Sequence, residues 1–484
     1  MNYKMMGKFI SRILLVEAVF MVPALLISVF NKETKSVVGF VLGIVIILAL
    51  AGILMLLCGN SPRGFYAREG LVCVGMSWIV MSLLGCLPFI ISGEIPNFMD
   101  ALFETVSGFT TTGATVMSAI EEMPYGILYW RSFTHWLGGM GVLVFVLAIS
   151  SAGDSKSGYT MHLLRAESPG PKVGKLVPKM KTTAEILYVI YLVLTVLNIM
   201  FLLAGGMPVF DAVCTAFGTA GTGGFGIKND SIAGYSPYIQ NVCTVFMLLF
   251  GVNFSCYYML LIRQFKSVWK DEELRFYLGA VLVSIFVIAC NIRGLYGTIE
   301  ETVRHAAFQV ASIVTTTGFA TTDFDLWPAL SKMVLLALML VGASAGSTGG
   351  GFKFARLLLI LKSIRRNVRQ VLQPQKVQVV RVNGQPVDEK ILENTNAYLA
   401  IYMIIIVVSC ILIAIDGFSI TTNISAVIAC FNNVGPGFEA VGATCNFAGF
   451  GAFSKLVLII DMLAGRLEIF PIIILFSGAA WRHK

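Results

Sequence analysis

Long apolar runs separated by short polar breaks cover almost the whole chain. They fall at residues 9–30, 36–58, 70–92, 127–152, 184–205, 237–262, 275–292, 329–362, 395–415 and 454–480. A helix needs roughly 20 apolar residues to cross a bilayer, so the pattern predicts about ten crossings with short connections. Basic residues crowd one set of linkers: Lys156, Arg165, Lys172, Lys175, Lys179 and Lys181 in one, Arg263, Lys266 and Lys270 in another, and Arg356, Lys362, Arg365, Arg366 and Arg369 in a third. With the N-terminus in the cytoplasm, counting crossings puts all three inside together with Arg63 and Arg68, and both termini face the cytoplasm. Lys32 and Lys35, in a short outer loop, are mild exceptions. Lys4, Lys8 and Arg12 precede the first run like the head of a signal peptide. No small-residue cleavage pattern follows Phe30, so the run is expected to stay as a first membrane helix.

The opposite loops differ in kind, being moderately apolar, rich in Gly and Thr, and marked by acids such as Glu94, Asp100, Glu121, Glu122, Glu300, Asp323 and Asp325. After the first two spans a unit of helix, short half-helix, glycine-bearing turn and helix recurs four times. The turns are SGFTTTG at 107–113, FGTAGTG at 217–223, SIVTTTG at 312–318 and ACFNNVG at 429–435, with a fixed glycine at Gly113, Gly223, Gly318 and Gly435.

Composition agrees with a membrane protein and adds one feature. The 484 residues are 57% hydrophobic and only 13% charged, which excludes a soluble globular protein. The 47 glycines are in excess for a helical chain, where each costs roughly 1 kcal/mol relative to alanine. The net charge of +8 is explained by cytoplasmic linkers rather than by nucleic acid. The ten cysteines lie mostly inside apolar runs, include no C-x-x-C pair, and read as small buried hydrophobes.

Irregular backbone at membrane depth is tolerated only when buried in protein or lining a watery cavity. Four such turns from one chain should therefore meet around a common axis. Glycine can turn successive carbonyls to one side, and a ring of carbonyls replaces the hydration shell of a monovalent cation. The preceding half-helices would point their partial negative ends to the same place. For any one loop, a helix cap or a close-packing turn is an equally simple explanation. Gly221, Gly223 and Gly226 match a dinucleotide fingerprint, yet no strand precedes them, so the match is accidental.

Two further features bear on a conduction path. Residues 342–351, GASAGSTGGG, interrupt a span near mid-membrane and should form an intramembrane loop, or else a small-residue packing face. Arg466 lies 12 residues into the last span, about 18 Å along a helix, and so near the bilayer centre. It is either a barrier in the ion path or half of an ion pair with Asp461 or Glu468. Arg131 and His135 read as helix anchors, and His162, His305 and His483 have no metal-ligand spacing, so no transition-metal site is expected.

The stretches SGFTTTGATV (107–116), WLGGM (136–140), 217–226, TTTGF (315–319), NVGPG (433–437) and GRLEIF (465–470) resemble the Trk/Ktr/HKT superfamily of potassium transporters, most closely the bacterial Trk-type membrane subunit. The resemblance covers essentially the whole chain. It implies an all-α polytopic membrane protein of the bacterial cytoplasmic (inner) membrane, with two N-terminal helices (1–69) and four pseudo-symmetric helix, pore-loop, helix repeats (70–182, 183–273, 274–392 and 393–484) around a central pore. It further implies a potassium filter at Thr111, Thr112, Gly113, Ala220, Gly221, Thr222, Gly223, Thr316, Thr317, Gly318, Asn433, Val434 and Gly435. In the family, serine at the first filter glycine accompanies sodium transport; here all four are glycine, which favours potassium. A gate is implied at Gly346, Ser347, Thr348, Gly349, Gly350, Gly351 and Arg466. The implied partners are a second copy of the chain in a homodimer and a cytosolic, TrkA-like regulatory subunit with nucleotide-binding (RCK) domains. The basic linkers, especially residues 353–381, suit membrane lipid.

No G-x-x-x-x-G-K-[ST] run is present, and no cofactor is expected besides the transported K+. Two other classes stand beside potassium uptake. A secondary carrier with broken helices for a small solute or another monovalent cation would carry inverted repeats, whereas these units all enter from one side. A polytopic enzyme would need clustered acid, base or metal residues at one depth, and none is apparent.

Overall fold

The computed structural model describes residues 3–58, 67–139, 141 and 180–481. Arg63, Met140, Lys156, His162, Arg165, Lys172, Lys175, Lys179 and His483 lie outside the described residues, as does the second half of the 127–152 run. The described residues are mostly helical. Helices α1 (Tyr3–Phe30) and α2 (Thr34–Cys58) form a hairpin, followed by α3 (Ala67–Gly85), α4 (Leu87–Ser92), α5 (Phe98–Phe109) and α6 (Tyr125–Gly139). Next come α7 (Met180–Ala204), α8 (Val209–Gly221), α9 (Pro237–Phe250), α10 (Phe254–Leu261), α11 (Phe265–Lys270), α12 (Glu272–Ile292), α13 (Ile299–Val314) and α14 (Ala329–Val341). Helix α15 (Phe354–Leu372) leads to a two-stranded ribbon, β1 (Arg381–Val382) and β2 (Gln385–Pro386). The remaining helices are α16 (Glu389–Ile413), α17 (Ile420–Phe431), α18 (Ala452–Arg466), α19 (Phe470–Phe476) and α20 (Gly478–Trp481).

Among the described residues, 6 helices are long and apolar enough to cross a membrane; α3 and α4 count together as one span, Glu69–Ser92. They match the apolar runs at 9–30, 36–58, 70–92, 184–205, 275–292 and 395–415. The runs at 237–262, 329–362 and 454–480 are not continuous helices, which matches the break expected in the second and corrects the expectation of unbroken crossings for the first and third. The first bends by 88° between α9 and α10. The second stops at Val341 and resumes at Phe354, because a Gly-rich segment gains little from helix formation. The third stops at Arg466, where Glu468 and Ile469 take φ of 61° and 67° and Pro471 follows.

Four short helices, α5, α8, α13 and α17, lie in the middle of this assembly, and their second halves are buried almost all round. Three start on side-chain caps. Asn97 accepts from the Met99 amide, Thr298 from Glu301 and Ser419 from Thr422, which satisfies amides that helix starts leave unpaired. Each is followed by a helix of 13 to 15 residues (α6, α9, α14 or α18). At 1.5 Å per residue these are about 20 Å long, too short to cross the bilayer.

Glycines set how closely these layers approach. A Cβ on Gly138 of α6 would strike the Phe109 carbonyl oxygen at the end of α5, and one on Gly465 of α18 would strike the Phe431 carbonyl at the end of α17. Gly138→Ala and Gly465→Ala should each destabilise the fold by about 1–3 kcal/mol through overpacking. A melting temperature in detergent equal to that of the wild type would refute this packing.

Candidate functional site

The four short helices end in the same way. In each, a residue in the left-handed region donates its amide to the carbonyl three residues back, and the next residue donates to the carbonyl five back. The first bonds are Thr111 to Gly108, Thr222 to Thr219, Thr316 to Ile313 and Asn433 to Cys430, at 3.1–3.2 Å. The second are Thr112 to Ser107, Gly223 to Gly218, Thr317 to Ser312 and Val434 to Ala429, at 2.8–2.9 Å. This is the Schellman closure of a helix, whose left-handed position is normally glycine. Here it holds Thr111, Thr222, Thr316 and Asn433, with φ of 54°, 54°, 59° and 56°. A β-branched residue in that region costs about 1–3 kcal/mol, so three threonines there mark a backbone conformation that the surrounding structure imposes.

Two residues later the backbone turns left-handed again, at Gly113, Gly224, Gly318 and Gly435, with φ of 81°, 75°, 83° and 96°. The loops also face one another in order. A Cβ on Gly113 would collide with the Gly223 carbonyl, one on Gly224 with Thr317, one on Gly318 with Val434, and one on Gly435 with Thr112. The contacts therefore close into a ring of four loops, each glycine set against the middle carbonyl of the next. Asn433 Nδ2 also donates to Thr112 Oγ1 at 3.0 Å, joining the fourth loop to the first. On one side, Gly113, Thr115, Gly224, Phe225, Gly318 and Gly435 help to line an open cavity of about 190 Å³.

The segment between α14 and α15 packs on the other side of the ring. The Gly350 amide donates to Thr316 Oγ1 at 2.7 Å, and a Cβ on Gly349 would lie 2.8 Å from the Thr315 carbonyl. Ala345 donates its amide to Glu273 at 2.6 Å and Ser344 donates to the Gly251 carbonyl at 3.2 Å, so α12 and the α9–α10 bend hold the segment from outside. Lys353 Nζ donates to the Gly349 carbonyl. Arg466 Nη1 donates to the Thr348 carbonyl at 2.8 Å, while Nη2 reaches the Gly139 carbonyl at 2.8 Å and that of Gly138. Its guanidinium thus ties the intervening segment to the end of α6. Asp461 accepts from Ser409 at 2.8 Å, and Glu468 is paired with Arg356.

Comparison with known proteins places the chain in a family. Residues 37–483 match the TrkH family of cation transport proteins. The chain belongs to the TrkH family. It is 37% identical over 425 residues to the Trk system potassium uptake protein TrkH of Salmonella typhimurium, covering 86% of each chain. To the protein of the same name from Halomonas elongata it is 34% identical over the full length of both. The crystal structure of the potassium transporter TrkH from Vibrio parahaemolyticus matches it with a TM-score of 0.88 at 30% identity, covering 100% of each chain. As a TrkH-family member the chain is a membrane-embedded ion transporter and not an enzyme.

Within this TrkH-family chain, the ring assembles the expected residues of the first, third and fourth loops and shifts the second by one. The equivalent of Gly113, Gly318 and Gly435 is Gly224, because Gly224 and not Gly223 has the positive φ. Gly223 takes the place of Thr112, Thr317 and Val434. Ala220 and Gly221 are the last two residues of α8, so their place is in the helix and not in the loop. Sequence reading assigned Glu104 no role, placed Lys353 in a basic linker suited to lipid although it is 2% exposed and bonded to Gly349, and gave His135 no part in the ring. His135 is fully buried, its ring stacks on Phe225 at 4.1 Å, and a Cβ on Gly223 would collide with it. The wide separations in sequence of these residues left no local signal.

The two tandem glycines should behave differently. Gly223→Ala collides with a side chain, so adding His135→Ala should restore cation flux in proteoliposomes to the level of His135→Ala alone. Gly224→Ala collides with backbone at a strained φ, and no change at His135 should rescue it. Equal rescue of both would contradict the assigned register.

Proposed function

We propose that this protein takes up potassium through a single pore formed by the four loops. The observation that carries the reading is the closed ring of loop contacts, with the same left-handed closure in all four. A dehydrated K+ needs closely spaced neutral oxygens, and carbonyls with threonine hydroxyls provide them. The filter would consist of Thr111, Thr112, Gly113, Thr222, Gly223, Gly224, Thr316, Thr317, Gly318, Asn433, Val434 and Gly435. The C-terminal ends of α5, α8, α13 and α17 add about half a negative charge each toward the same centre. Four units, residues 70–182, 183–273, 274–392 and 393–484, then surround the pore as pseudo-symmetric repeats, after two N-terminal helices in residues 1–69.

The segment at 346–351 serves as a gate in this reading, with Arg466 as its latch. Three small-residue carbonyls hold the guanidinium, and a fixed cation on the path would oppose K+ until the segment moves. The names and the similarity of the potassium uptake relatives support K+ as the transported ion. The Trk system of those relatives, and the basic linkers, support an inner-membrane homodimer with cytoplasmic termini, regulated by a TrkA-like nucleotide-binding subunit. The same cyclic order of all four loops favours a pore over a carrier of inverted repeats.

Potassium and sodium uptake in proteoliposomes tests the filter: Gly113→Ser and Gly224→Ser should each erode discrimination against sodium. A ratio unchanged in both would refute it. Deleting residues 346–351, or Arg466→Ala, should raise basal rubidium flux, and lowered flux with normal folding would rule out the gate. Repeating the flux with and without a proton gradient separates channel-like passage from coupled transport.

A further inference from the structure

Among the four short helices, only α5 carries a charge at the position seven residues before its left-handed closure. That position holds Glu104, where the others hold Thr215, Gln309 and Ala426. Glu104 is 1% exposed and pairs with Arg131 of α6, itself 2% exposed, through Nε at 2.6 Å. The same carboxylate accepts from Thr115 Oγ1 at 2.9 and 3.1 Å and from the Val116 amide at 2.9 Å. Arg131 continues across to the second loop. Its Nη1 donates to the Gly226 carbonyl at 2.8 Å, and its guanidinium lies 3.6 Å from the centre of the Phe225 ring.

Thr115 and Gly226 are equivalent positions, each two residues past the left-handed glycine of its loop. One buried ion pair therefore grips the first and second loops at the same level, just beyond the ring. A buried charge without its partner is strongly unfavourable, and the planar guanidinium uses two edges at once, which an ammonium cannot do. We infer that Glu104 and Arg131 are positioning residues for cation selectivity, fixing the distance between the first two loops and hence the spacing of their carbonyls. The inference rests on the pore reading above.

The test measures potassium and sodium uptake by the full-length protein in proteoliposomes. Glu104→Gln keeps the shape and removes the charge; Arg131→Lys keeps the charge and loses the second edge; Thr115→Val removes one hydroxyl. Gly113→Ser serves as the filter control. The potassium-to-sodium ratio should fall roughly tenfold in the first two, the discrimination carried by about one charge-assisted hydrogen bond, and less in Thr115→Val. A wild-type ratio in monodisperse Glu104→Gln and Arg131→Lys overturns the inference. If neither variant is monodisperse, Thr115→Val decides, and an unchanged ratio there overturns it. Failure of the pore reading looks different: the wild type itself would not discriminate, or Gly113→Ser would leave the ratio unchanged.

Discussion

The central assembly depends on one backbone constraint, repeated at Thr111, Thr222, Thr316 and Asn433. Each ends a short helix in the left-handed region, where glycine would sit without strain. The two amide bonds of the closure hold the residue there and bring the following carbonyls out of the helical direction. Glycine at this point would lower the strain but would also remove the side chain. The hydroxyl of Thr316 accepts from Gly350 and Asn433 reaches Thr112, so these side chains connect the ring inward and sideways. At Thr316 and Asn433 the strain is offset by contacts that only a polar side chain can make.

A second constraint follows from the first. If four short helices end in the middle of the fold, the helices that follow must approach their ends closely, and they too stop there. α6, α9, α14 and α18 all stop in this region, with Gly139, Phe250, Val341 and Arg466 as their last helical residues. The carbonyls left free at such ends need donors. Arg466 supplies them for Gly138 and Gly139, and its reach to Thr348 adds the intervening segment to the same network. A partly buried cation is accommodated because the chain around it offers three carbonyl oxygens from two separate elements, α6 and the 342–351 segment.

Much of this was legible in the sequence. The six long spans follow from apolar length alone, and the break at 342–351 follows from its glycines. The recurring turns of Thr, Asn and Gly pointed to the first, third and fourth of these loops. The second loop was ambiguous because Gly223 and Gly224 stand side by side, and only their backbone angles separate a middle residue from a turning one. The interruption at Glu468 and Ile469 had no signal, since the surrounding residues suit a continuous apolar helix until Pro471. Glu104 and Arg131 are 27 residues apart and Arg466 lies more than 300 from Gly138, so these pairings belong to tertiary structure and not to any local pattern.

Because each loop's glycine is fitted to the next loop's carbonyl, and the fourth returns to the first, no loop has a private environment. A substitution in one alters the surface that its neighbour must match, and an inserted residue disturbs two contacts at once. The effects of mutations around the ring should therefore be non-additive, and the four loops free to diverge in evolution only as a coordinated set. The second loop shows this fit: Gly223 stands where two of its counterparts have threonine, and the space that a side chain would fill belongs to His135.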